Sequence, residues 1–157
     1  MKSSELLNEL RDNRRMKLKE HRDFNRLRAF DFNRFEESEI VKPEDIIVLC
    51  KRIKSRRVAK AEELIKLGNA FLQSEANITA FIKVTGAINI IIKDFTGKDR
   101  NLQILAAQCL CNLSLGDEVC CSKVATFAGS YLMIFILNSN DLTLAVSFKV
   151  CSQEILD

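Results

Sequence analysis

The pattern of apolar and polar residues predicts a chain of helices joined by short turns. From Pro43 onward, apolar residues recur every three or four positions, the spacing that gathers them on one side of a helix. The clearest run contains Leu102, Leu105, Ala106, Cys109, Leu110 and Leu113. Similar spacing predicts helices over residues 46–53, 58–72, 77–84 and 88–95. Because a single Pro and five Gly leave few breaks, the sequence predicts an all-α fold.

Short polar and glycine positions predict where these helices begin and turn. Asn77 is expected to cap the helix that it begins, and Gly86 permits a sharp corner. Gly129 is expected to turn the chain in the same way, between a short helix that ends at Phe127 and a further apolar helix. A last helix is expected over residues 142–157.

Several of these features recur at a fixed distance. Asn69 and Asn112 lie 43 residues apart, and so do Gly86 and Gly129. A helical period of roughly 40–47 residues is typical of armadillo and HEAT solenoids, which stack helical units side by side. The sequence therefore predicts an armadillo-like α-solenoid of about two repeats over residues 43–157, cut short at its C-terminal end.

The first 40 residues differ from this body. Residues 5–35 favour one long helix that is polar nearly all round, which is typical of a solvated segment or one ordered by a partner. Residues 11–28 hold eight Lys or Arg against three acids, a net charge of +5, although the whole chain carries only +3. A basic segment before a near-neutral body indicates an interaction arm, which we assign to residues 1–40.

Two stretches resemble armadillo repeats of the importin-alpha type. "NLQILAAQCLCNLSLGDEVCCSKVATFAGSYLMIFILNSND" (101–141) is similar to a third repeat helix followed by the short helix, Ala-Gly and apolar helix of the next repeat. "FIKVTGAINIIIKDF" (81–95) is similar to the same segment one repeat earlier. "ELRDNRRMKLKEHRDFNRLRAF" (9–30) resembles the importin-beta-binding arm of that family. The residue one turn before the repeat Asn, a Trp in that family, is Gln108 here.

The resemblance implies two protein-binding sites. In the arm, an importin-beta-like partner is expected to meet Arg11, Arg14, Arg15, Lys17, Arg22 and Arg26. On the third-helix face, an extended peptide is expected to meet Asn69, Gln108 and Asn112. Other interpretations of the same residues stay open. Each Asn can instead tether a neighbouring helix, and the arm can be a solvated charged helix or can bind nucleic-acid phosphates.

Catalytic, metal and membrane functions have little support in the sequence. The chain has one His and no Gly-rich phosphate loop, so neither a nucleophile–base pair nor a nucleotide site is expected. Its six Cys lack zinc-ligand spacing, and without a secretory signal they are expected to be free thiols in the cytoplasm or nucleus. No apolar stretch reaches the roughly 20 residues of a membrane span. We therefore expect no enzyme and no cofactor.

The most favoured function is a protein-binding adaptor or scaffold, with protein import into the nucleus implied by the resemblance. Alternative functions are nucleic-acid binding through the arm, or a structural or membrane-associated role without transport.

Overall fold

A computed structural model describes residues 2–32 and 39–138. These two ranges contain seven helices and no strand, which confirms the all-α prediction. The helices are α1 (Lys2–Phe32), α2 (Pro43–Arg56), α3 (Ala61–Gln73), α4 (Glu75–Lys83), α5 (Ala87–Phe95), α6 (Arg100–Leu113) and α7 (Glu118–Asn138). The predicted last helix, residues 142–157, lies outside the described residues.

Helix ends follow from local chemistry at several positions. Pro43 opens α2, where its missing N–H costs no hydrogen bond. The side chain of Asp99 caps α6 by accepting hydrogen bonds from the backbone N–H groups of Asn101 and Leu102, at 2.9 and 3.2 Å. Gly86 has a φ of 77° at the start of α5. This left-handed conformation suits Gly because other residues would bring their Cβ too close to the backbone, and it confirms the predicted corner.

The prediction that Asn77 caps its helix is wrong. The cap is Ser74, whose side chain accepts a hydrogen bond from the N–H of Ala76. Asn77 is the third residue of α4, within its first turn, and is fully buried. Its side-chain amide donates to the carbonyl of Val41 at 3.0 Å and to the carbonyl of Ala70 at 2.9 Å. Asn77 therefore joins the connector before α2 to the end of α3.

A buried carboxylate ties the turn between α2 and α3 to α5. The backbone N–H of Ala59 donates to the carboxylate of Asp94 at 3.3 Å. Burial raises the pKa of Asp94, and it outweighs the hydrogen bond from Ala59 and the charge of Lys93, which lower it. The ionised carboxylate is thus held where burial disfavours its charge.

One core cluster links α2 to α7. Its fully buried side chains come from several helices and include Ile46, Phe71, Phe81, Leu110 and Val124. The rings of Phe71 and Phe81 meet edge to face with centroids 5.1 Å apart. Helices that are three places apart in the chain contact one another, namely α2 with α5, α3 with α6, and α4 with α7. Neighbouring helices also contact one another, among them α5 with α6 and α2 with α4, so every helix from α2 to α7 contributes to one continuous core.

The predicted corner at Gly129 is wrong. The expected short helix and the apolar helix after it are both parts of α7, which continues from Glu118 to Asn138. Among the described residues Gly86 is the Gly with a positive φ, so Gly129 keeps a helical backbone. Gly86 and Gly129 therefore occupy different structural settings although they lie one period apart.

Candidate protein-binding surface

The basic arm forms α1 and lies against the body of the protein. It contacts α3, the helix that carries Asn69. Leu18 and Asp23 are half-buried on α1, and Arg22 is only 9% exposed. The other described side chains of α1 are exposed. The arm therefore meets the body along one narrow side.

The contact between arm and body combines opposite charges. The Arg15 guanidinium lies 3.6 Å from the carboxylate of Glu118, and both side chains are largely exposed. Arg22 acts on Asp117, the residue before Glu118. Burial works to raise the pKa of Asp117, but hydrogen bonds from Cys120 and the charge of Arg22 outweigh it and hold that pKa below its usual value. The Arg15–Glu118 pair is exposed, and exposed ion pairs contribute little, about 0–1 kcal/mol each, and are screened by salt.

Sequence reasoning missed the body's half of this contact. The adjacent acids Asp117 and Glu118 follow Gly116 directly in the sequence. They stand at the start of α7, where negative charge is favoured by the helix dipole. Two acidic residues at a helix start, in a chain that also has a basic arm, could have indicated where the arm contacts the body.

The candidate arm residues differ in exposure. Four of them are exposed on α1, namely Arg11, Arg14, Arg15 and Lys17. Arg22 is the buried one, and the side chain of Arg26 lies outside the described part of the chain. The exposed residues of α1 also include large apolar ones: Leu6, Leu7, Leu10, Met16 and Phe24. A partner that bound the exposed surface of α1 would meet both positive charges and apolar side chains.

The structure places the candidate groove residues on two helices in contact. Asn112 on α6 donates its side-chain amide to the carbonyl of Gly68 on α3, at 3.0 Å. Gly68 precedes Asn69 in the sequence, so Asn112 is bonded to the turn of α3 that carries Asn69. Asn69 and Asn112 are half-buried, whereas Gln108 is exposed. Asn112 therefore serves as a tether between helices, and it keeps further hydrogen-bonding capacity because a carboxamide offers several sites.

The described cysteines are buried thiols. Burial raises the pKa values of Cys50, Cys109 and Cys120 to about 12. The Cys109 thiol donates to the carbonyl of Leu64 at 3.1 Å. Thiols with such pKa values are poor nucleophiles and poor ligands, since both roles need the thiolate. Within residues 2–32 and 39–138, no three His, Cys, Asp or Glu side chains gather in a way that could hold a metal ion.

Comparison with known proteins gives no relative. The chain matches no protein-family model, no curated protein and no solved structure. The described helices include none with the length and apolar character needed to cross a bilayer.

Proposed function

We propose that this protein is an armadillo-like adaptor or scaffold that binds other proteins, without catalytic activity of its own. The main support is that helices three places apart in the chain contact one another, as α3 and α6 do. Such layering is how solenoids build long surfaces from repeated units. An elongated helical stack presents grooves suited to polypeptides.

The starts of two helices support a repeat of 43 residues. Glu75 begins α4, and Glu118 begins α7, 43 residues later. The described part of α7, Glu118–Asn138, spans the positions that correspond to α4 and α5. The contact between α3 and α6 joins the two helices that carry the repeat Asn residues.

The arm is proposed to bind an acidic protein surface. Arg11, Arg14 and Lys17 are exposed on α1, and complementary charge speeds and orients protein association. The ion pair of Arg15 with Glu118 is exposed and worth only about 0–1 kcal/mol, so an acidic partner can compete for Arg15. A karyopherin of the importin-beta kind is the proposed partner, and import of proteins into the nucleus is the proposed process, acting between cytoplasm and nucleus.

The second proposed site is the α3–α6 face around Asn69, Gln108 and Asn112. An extended peptide there would place its backbone against the two Asn side chains. Gln108 is exposed on this face and offers both a donor and an acceptor. Nothing aromatic stands at that position, so we expect binding by backbone hydrogen bonds rather than by side-chain stacking.

Binding of the full chain to importin beta tests the arm proposal. Titration calorimetry at physiological salt should detect binding by the unaltered protein. Reversing three charges together on α1, Arg11→Glu, Arg14→Glu and Lys17→Glu, should weaken it by at least about a hundredfold, since charge pairs at interfaces are worth about 1.5 kcal/mol or more each.

The control reverses three exposed charges on the body. Lys51→Glu, Lys83→Glu and Lys98→Glu change the net charge equally and lie on α2, α4 and the α5–α6 turn. This variant should bind normally. Failure of the unaltered chain to bind would overturn the karyopherin proposal. Binding instead to single-stranded RNA of any sequence, with a steep loss as salt rises, would favour the nucleic-acid alternative.

A further inference from the structure

The end of α2 and the turn after it form a strongly basic surface. Residues 51–60 contain six Lys or Arg and no acid, and all six side chains are exposed. With Glu62 and Glu63 included, residues 51–63 carry a net charge of +4. The fold adds a cation from α5, because the ammonium of Lys93 donates to the carbonyl of Arg57 at 3.2 Å. The body therefore has its own centre of positive charge, built by helices other than the arm.

Two arginines of this surface are held by one buried carboxylate. Arg52 and Arg56 lie one turn apart on α2, so they share a side of the helix. The Nε of Arg52 lies 3.2 Å from the carboxylate of Glu63 on α3, and Nη2 of Arg56 donates to both oxygens of the same carboxylate. That carboxylate also accepts the backbone N–H of Lys60 at 3.0 Å. Glu63 is only 7% exposed, so it forms a fixed base for both guanidinium groups.

Glu63 keeps its charge across the neutral pH range. Burial acts to raise the pKa of Glu63, but hydrogen bonds from Arg56 and Lys60 and the charges of Arg56 and Arg52 outweigh it and hold that pKa below its usual value. The ionised carboxylate therefore keeps both guanidinium groups in place. Its single charge offsets only one of their two, so the group of three side chains remains positive.

The two guanidinium groups have hydrogen-bond donors left for a ligand. A guanidinium has five N–H groups, and Glu63 is bonded through Nε of Arg52 and Nη2 of Arg56. Within the ranges 2–32 and 39–138, neither guanidinium has another hydrogen-bond or ion-pair partner. The Arg52 side chain is 60% exposed and that of Arg56 is 36% exposed, so a ligand can reach both.

This arrangement suits a phosphate group. The planar fork of Arg matches two phosphate oxygens at once, and side chains already fixed by Glu63 lose little freedom on binding. Val48 is 64% exposed one turn before Arg52 on α2, so an extended ligand along this helix would meet an apolar side chain beside the two arginines. The aromatic residue of α2 and α3, Phe71, is fully buried, so the stacking that single-stranded nucleic acids use is missing here.

We propose that Arg52 and Arg56 form a clamp for a phosphorylated residue in an extended segment of another protein, with Val48 contacting an apolar residue next to it. A phosphoserine carries a charge of about −1.5 to −2 at neutral pH and three acceptor oxygens, whereas an unmodified Ser brings no charge to the clamp. Binding at this surface would thus depend on phosphorylation of the partner. The clamp uses no residue of the arm or of the face around Asn69 and Asn112, so it is a surface in addition to those two.

Phosphopeptide binding by the full chain tests the clamp. The probe is a short fluorescent peptide of Gly, Ala and Val around one phosphoserine, and fluorescence anisotropy measures its affinity. It should bind at least about tenfold more tightly than the same peptide with Ser. Arg52→Gln and Arg56→Gln should each weaken binding by about tenfold or more, because each removes a hydrogen bond between charged groups. The Arg52 side chain is largely exposed, so Arg52→Gln keeps the test valid even if Arg56→Gln unfolds the chain.

A further variant and two controls separate the clamp from charge in general. Arg56→Lys keeps the charge but cannot bind two oxygens as a fork, so it should bind nearly as weakly as Arg56→Gln. The matched control is Lys42→Gln, which removes one exposed charge at the opposite end of α2 and should leave the affinity unchanged. The variant with three reversed charges on α1 should also bind the phosphopeptide normally.

Several results would overturn the proposal. Equal affinity for the phosphorylated and unmodified peptides would exclude the clamp, and full binding by Arg56→Lys would show that charge alone suffices. Loss of binding in the α1 variant would place the phosphate site on the arm instead. If single-stranded RNA or phosphatidylserine vesicles bind through Arg52 and Arg56 while the phosphopeptide does not, the surface serves nucleic acid or membrane rather than a protein partner.

Discussion

Replacing Gly86 and Gly129 by Ala should shift stability in opposite directions. The two glycines lie 43 residues apart but differ in backbone conformation. Gly86 has a φ of 77°, and an L-residue in the left-handed region costs about 1–2 kcal/mol. A Cβ on Gly86 would come no closer than 3.9 Å to Lys54, so packing adds no further penalty. Gly86→Ala should therefore destabilise the fold by about 1–2 kcal/mol.

Gly129→Ala should stabilise it. Gly129 lies inside α7, and a Cβ there would meet no atom within 4 Å. Ala is favoured over Gly in a helix interior by about 0.8–1.0 kcal/mol. The two variants should thus differ by about 2–3 kcal/mol in the free energy of unfolding.

Urea denaturation followed by far-UV circular dichroism measures this difference directly. The slope of the unfolding free energy against urea should be the same in both variants, because neither change alters the surface exposed on unfolding. Thermal midpoints should move by about 2–4 °C per kcal/mol for a chain of this size. If Gly129→Ala is as destabilising as Gly86→Ala, then α7 turns at Gly129, and the continuous helix is wrong.

Three further outcomes are expected. Asn112→Ala removes the bond to the Gly68 carbonyl and should cost about 1 kcal/mol in urea denaturation, whereas Gln108→Ala, one turn earlier and exposed, should cost almost nothing; equal costs would contradict the tether. The pKa of Asp94 is raised in the folded protein, so the carboxyl keeps its proton to a higher pH there than in the unfolded chain. The contribution of Asp94 to stability should therefore fall as pH rises from its ordinary pKa of 3.8 through its pKa in the folded protein. Asp94→Asn should remove that fall in pH-dependent melting, and an unchanged pH profile would refute the assignment. A thiol reagent at mildly alkaline pH should react slowly with the buried cysteines of the native protein and rapidly after denaturation. Labelled positions can be located by mass spectrometry, and fast labelling of the native protein would contradict their burial. The buried cysteines are Cys50, Cys109, Cys111, Cys120 and Cys121.

Regular apolar spacing made the helices of the body predictable from the sequence. Residues 102–113 show the clearest period, and α6 covers them. Pro43 opens a helix and Gly86 adopts a positive φ, as expected. Both properties belong to the residue itself, because Pro has a fixed φ and Gly can adopt a positive one. The sequence could thus indicate where several helices start and turn.

Positions whose role depends on a distant contact could not be predicted in the same way. Gly129 lies inside a helix whereas Gly86 lies at a corner, because Gly permits a corner but does not require one. Asn77 is a good cap residue in isolation, yet its carbonyl partners lie 36 and 7 residues away. Asn112 left two interpretations open, and only the position of Gly68 favours the tether.

The acidic partners of the arm were missed for a related reason. Asp117 and Glu118 read locally as a turn and a helix start, which they also are. Their second role arises only because α1 passes close enough for Arg15 to reach Glu118. The sequence alone does not show that α1 lies close to the start of α7.

The buried amide of Asn77 makes its position unusually intolerant of substitution. Its nitrogen donates two hydrogen bonds at once, which Asp, of nearly equal size, has no hydrogens to do. Gln has the same amide but one more methylene, and because Asn77 is fully buried the extra methylene would force its neighbours to shift. One side chain thus holds both the connector before α2 and the end of α3 against α4, so a substitution at Asn77 should loosen all three segments together.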